Sequence, residues 1–182
     1  MRTQYSAMMA SLILALTLSA CSPSQNWREV TLEGTTLKAQ LPCKPDRTTR
    51  SVPLGGASVD LQVVGCESGS AILAVMTAPL VAGIDANAVL AVWQKVTLDN
   101  ARVPQPLAAE QQQKWHRPGH LPLSTSHRIQ AQGLRADGEA VMMDAVWGAI
   151  SDGERVRLIH AVVYDRKMQP EMANTLFEGL KP

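Results

Sequence analysis

Residues 36–80 read TLKAQLPCKPDRTTRSVPLGGASVDLQVVGCESGSAILAVMTAPL. Three runs in this stretch carry strand patterns: 37–41, 59–66 and 71–78. In the first, Leu37, Ala39 and Leu41 alternate with Lys38 and Gln40, as a half-buried strand requires. Pro42 ends it, because proline has no N–H for the ladder. Residues 43–53 are polar, with Arg47 and Arg50, and read as a solvated loop. Gly55-Gly56 turns into Val59, Leu61 and Val63, and residues 67–70 turn again into Ile72, Ala74, Met76 and Ala78. The third run is apolar on both sides, so it is expected at the centre of a sheet and covered on both faces. Together the three predict an antiparallel run, and with it an α+β fold in which helices pack on the faces of an antiparallel sheet.

The flanking chain extends this pattern. Upstream, Val30 and Leu32 alternate into a turn at 33–35, which makes residues 27–41 a hairpin. Downstream, Asp85 is a good N-cap for a helix, with Ile84 and Val89 placed as a hydrophobic staple. Val89, Trp93 and Val96 share a face of that helix, with Ala86 and Leu90 beside them. Residues 102–124 hold Pro104, Pro106, Pro118 and Pro122 and read as a long loop, with a strand expected over 107–112. Residues 127–132 alternate weakly into a strand. Residues 141–164 form the clearest hairpin, turning at Asp152-Gly153. With those two as the loop residues, Ala145 faces His160 and Val141 faces Tyr164. Pro170 fits the first position of a closing helix, Gly179 fits its cap, and Met172, Ala173, Leu176, Phe177 and Leu180 form its apolar stripe.

The first 20 residues read as an export signal. Arg2 is followed by an apolar stretch from Ala7 to Ser19, too short to span a bilayer, which takes about 20 apolar residues. Leu18-Ser19-Ala20-Cys21 resembles the bacterial lipoprotein box, in which the cysteine sulfur takes a diacylglycerol and the chain is cut just before it. Ser22 after it, in place of aspartate, implies sorting to the outer membrane. The expected organisation is a signal at 1–20, a lipidated tether at 21–26 and one domain at 27–182. Loss of the signal removes Arg2 and leaves Lys and Arg equal to Asp and Glu. A formally neutral domain without a basic block excludes a nucleic-acid binder by charge. The membrane partner is then the N-terminal lipid, with the domain facing the periplasm. With Cys21 lipidated, Cys43 and Cys66 are an even pair in an exported protein, and a structural disulfide is expected.

No catalytic constellation stands out. Asp144 and His160 tempt as a dyad, but the hairpin register puts them on opposite faces. His160 is expected as a hydrogen-bonded, half-buried histidine. There is no G-x-S-x-G, no G-x-G-x-x-G and no P-loop. The most chemical stretch is Trp115-His116-Arg117-Pro118-Gly119-His120, which with His127 forms a candidate binding loop. Pro118-Gly119 rules out a helical pair of zinc ligands at His116 and His120, and no third ligand is signalled, so no metal and no cofactor is assigned.

The order of elements resembles the PsbP-like superfamily, an α/β/α sandwich found in photosystem accessory proteins and small bacterial lipoproteins. The residues that carry the likeness are Leu37-Lys38-Ala39-Gln40-Leu41-Pro42, Pro118-Gly119 before a strand, the Gly153 hairpin feeding residues 157–164, and Asn174-Thr175-Leu176-Phe177-Glu178-Gly179-Leu180. That resemblance implies a non-enzymatic binding or assembly role with an envelope protein as partner, and it brings no shared catalytic residues. The alternatives are a periplasmic small-molecule or metal carrier using the 115–127 loop and, more remotely, a hydrolase.

Overall fold

The computed structural model describes residues 25–182. The signal at 1–20 and Cys21 lie outside the described residues. Among the described residues, nine strands and two α-helices follow in order: β1 (Arg28–Thr31), β2 (Lys38–Leu41), β3 (Asp46–Leu54), β4 (Ala57–Ser68), β5 (Ala71–Pro79), α1 (Ala86–Asn100), β6 (Gln112–Lys114), β7 (His127–Leu134), β8 (Ala140–Asp152), β9 (Arg155–Asp165) and α2 (Pro170–Glu178). Seven strands form one open antiparallel sheet in the order β3-β4-β5-β9-β8-β7-β6, and β1 and β2 form a separate pair. The fold is α+β, as expected. Among the described residues, no helix is long and apolar enough to cross a membrane.

Two layers cover the sheet. On one face α1 lays Val89, Leu90, Trp93 and Leu98 over Ile129, Met143, Ala145, Trp147 and Val162. On the other, α2 and the β1–β2 hairpin bury Leu32, Leu37, Leu41, Leu176 and Phe177 against Val64, Leu73, Val146 and Ile159. Asp85 caps α1, its Oδ1 accepting from Asn87 N at 3.1 Å. Pro170 opens α2. Gly179 is its C-cap, as expected. Its φ is −75°, and a Cβ there would stand 2.7 Å from Cβ of Gln40 and 2.9 Å from its backbone nitrogen. Glycine is needed because β2 passes so close.

Several expectations are corrected. Residues 46–54 are a nine-residue strand, β3, not a loop. Its polar residues are those of a sheet edge, where charge and Pro53 deter further pairing. The strand ending at Leu41 does not join the sheet; it pairs with β1 as a cover, so the three-strand run is β3-β4-β5. Residues 107–112 give a short 3₁₀ turn, and the strand falls at Gln112–Lys114. In the last hairpin Asp152 opposes Arg155, so Gly153 and Glu154 form the loop and Trp147 faces His160. The register differs by two from the expected one, and an even shift keeps every side chain on its face.

Cys43 and Cys66 are disulfide-bonded, with Cα atoms 6.0 Å apart. The bond ties the chain leaving β2 to β4, and so holds the hairpin layer on the sheet. The expected tether reaches into this layer, since Asn26 N donates to Pro42 O at 3.0 Å.

Candidate functional site: an apolar cleft beneath α1

The 115–127 loop is built into the core. Trp115 is buried over Gly148, whose missing side chain makes room for the ring. It meets His120 edge-on at 4.9 Å between centroids. His120 is buried too, and its Nε2 lies 3.2 Å from Leu180 O. A carbonyl only accepts, so Nε2 carries the proton and Nδ1, which has no partner, is an acceptor. Burial pushes this imidazole below its usual range. Leu121 N donates to Ala149 O at 2.8 Å, so the loop continues the edge of β8 beyond the end of β7. His116 is exposed. His127 is half-buried and shares a 3.1 Å hydrogen bond with Gln112 on β6. The structure therefore brings Trp115 and His120 together as packing partners. Among the described residues, no three of His, Cys, Asp and Glu are placed to hold a metal ion.

The larger opening lies on the other side of the sheet, between α1 and the strands. It is a cleft of about 790 Å³. Leu54, Leu61, Ile72 and Met76 form its floor, and Val92, Trp93 and Val96 form its helical wall. Its origin is geometric. Seven strands spaced about 4.8 Å apart make a sheet roughly 29 Å wide, whereas one helix with its side chains is about 10–12 Å across. α1 sits over the β8 side of this face and leaves the β4–β5 side open. Contrary to expectation, β5 is central but only partly covered: Ala71, Leu73 and Val75 are sealed beneath the hairpin layer, while Ile72 is 37% exposed. Val96, expected in the helix stripe, is 48% exposed, and Val92 is 57% exposed. With Leu134 these are four of the five large exposed apolar residues among those described, and all four line this one cleft. Isolated exposed apolar residues need no explanation, but a contiguous patch that converges on a concavity does.

Few polar groups reach the cleft. His160 lies at its floor, 1% exposed, stacked on Trp147 at 4.3 Å and edge-on to Trp93 at 5.6 Å. Its Nδ1 lies 3.1 Å from Val146 O, so Nδ1 is the protonated nitrogen. Burial pushes the imidazole down to about 4, so at neutral pH Nε2 is an uncharged acceptor. Tyr164 lies beside Ile72 in register, and burial raises its phenol, which keeps the hydroxyl protonated. Arg135 is the one charged residue in the lining.

Asp144 is on the opposite face and takes no part in this. Only 2% exposed, it accepts from Arg128 Nε at 2.8 Å, Arg128 Nη2 at 2.6 Å and Gln130 Nε2 at 2.7 Å. Arg128 donates onward to Asn174 at 2.8 Å and lies 5.1 Å from the centre of the Phe177 ring. This bidentate pair fastens α2 to β7 and β8. Asp144 and His160 are not a dyad.

Sequence reasoning passed over the cleft because Ile72, Met76, Val92 and Val96 have the composition of a core. The signal that could have found it was the count of covers: one helix had to shield a face to which seven strands contribute. Compared with known proteins, the chain matches no family model, no curated sequence and no solved structure.

Proposed function

We propose that this protein is an exported, lipid-anchored, non-enzymatic binding protein of the cell envelope, and that the cleft beneath α1 is its binding site. In this reading Cys21 carries the lipid, the domain faces the periplasm from the outer membrane, and the α/β/α arrangement is PsbP-like. The observation that carries the proposal is the convergence of Ile72, Val92, Val96 and Leu134 on one apolar cavity. Its volume falls within the roughly 300–1,000 Å³ usual for ligand sites, which are mainly apolar with a few placed polar groups. The cleft suits binding better than the 115–127 loop, where Trp115 and His120 are engaged in packing.

The test is site-specific photocrosslinking in the intact envelope. A benzophenone side chain at Val92 or Val96 should add a ligand mass to the α1 peptide. The same group at Lys95, which points to solvent and pairs with Asp99, should add none. Equal yields at all three positions would sink the cleft as the binding site.

A further inference from the structure

Polar groups are distributed unevenly along the cleft, and their distribution points to a ligand class, given that the cleft is the binding site. β5 supplies a ruler. At one end Ile72 pairs with Tyr164, and the β7–β8 turn brings Leu134, Arg135 and Ala136 to the end of α1, where Leu134 N donates to Ala101 O at 2.7 Å. In the middle Met76 pairs with His160. At the far end lie Val52, Leu54 and Leu61, with Leu61 just beyond the Gln62–Thr77 pair. From Ile72 to the level of Leu61 is about six residues of strand, or roughly 20 Å.

The cleft is therefore long, apolar at the Leu61 end and polar at the Tyr164 end. No carboxylate lines it, and Arg135 makes no ion pair among the described residues. Asp165, next to Tyr164 on β9, accepts from Arg166 N at 2.6 Å and Gln169 Nε2 at 2.7 Å; burial opposes its ionisation, but these hydrogen bonds and the nearby charge of Arg135 hold its carboxyl low. A guanidinium and a phenol lining one end of an apolar channel that holds no carboxylate complement an acidic group on a hydrocarbon chain. We propose that the cleft binds a single-chain acyl amphiphile with an anionic head, the chain lying between β5 and the Val92–Val96 flank of α1, the head at Arg135 and Tyr164. A fatty acid and a lysophospholipid share this chemistry.

The experiment places the full-length chain in phosphatidylcholine nanodiscs with one of three diazirine probes: a long-chain fatty acid, its methyl ester, or an anionic lysophospholipid. Labelled peptides are mapped by mass spectrometry. At least one anionic probe should label Ala86–Asn100 and Ala71–Pro79 and be competed by its unlabelled form, and the preferred one names the source. Arg135→Gln, at the β7–β8 turn, should weaken labelling by the anionic probe about ten- to hundredfold, as for loss of one charge-assisted contact, and leave the ester unchanged. If the ester labels the cleft as well as the acid does, and Arg135→Gln alters neither, the anionic class is overturned while the apolar site stands. If no probe labels these two segments, both the class and the cleft reading fail.

Discussion

His160 is the most informative single residue. At the floor of the cleft and 1% exposed, it packs against two tryptophan rings and bonds a backbone carbonyl. Its native value of about 4 stands against about 6.5 in an unfolded chain. The unfolded state therefore takes up the proton first as pH falls. Above about pH 6.5 the residue adds no pH dependence; between there and about pH 4 the native state loses ground; below that the loss stops growing. From about pH 7.5 to about pH 5 the loss attributable to His160 is on the order of 2 kcal/mol. His120 and His127, both held low by burial first, add in the same direction. Urea unfolding at the two pH values should show a smaller acid loss in His160→Phe than in the unaltered chain. An unchanged difference would mean the imidazole is not buried neutral.

At the scale of elements, the disulfide is a covalent join between two layers that also meet at the β1–β2 turn, where Thr36 donates to Asp152 and Arg157 donates to Gly34 O. It closes a sequence separation of 23 residues, and its removal should cost roughly 3 kcal/mol in the chain-entropy account. Cys43→Ser with Cys66→Ser should show that loss in denaturant midpoints, whereas loss of less than about 1 kcal/mol would mean that burial of Leu37 and Leu41 and the Thr36–Asp152 hydrogen bonds hold the hairpin without the disulfide. The Cys43–Cys66 pairing, the Asp85 cap, the Pro170 start and the closing hairpin were all legible, because each rests on local chemistry or simple counting. β3 was not. Arg47, Thr48, Thr49 and Arg50 have no apolar alternation, since an edge strand this exposed needs none. The place of β2 was hidden for a related reason: Leu37, Ala39 and Leu41 alternate equally well as a sheet member or as a lid upon the sheet. Trp115 and His120 looked like ligand-facing groups because aromatic and imidazole side chains suit packing and recognition alike, and only the contact with Gly148 and Leu180 tells them apart.

At the scale of the molecule, the two faces of the sheet are unequally covered. One carries α2, the β1–β2 hairpin and the ring of Trp115. The other carries α1, and the uncovered strip beside it is the apolar cleft. The cleft and the architecture thus have one origin, a sheet wider than the helix laid across it. The most direct test is native mass spectrometry of the full-length protein taken from its host's membranes into nanodiscs, beside a Val92→Glu, Val96→Glu variant. Both positions are exposed, so the variant should fold. A mass increment of one acyl amphiphile on the unaltered protein, absent from the variant, is the predicted result. An increment that persists in the variant, or none in either, would contradict the assignment of the cleft.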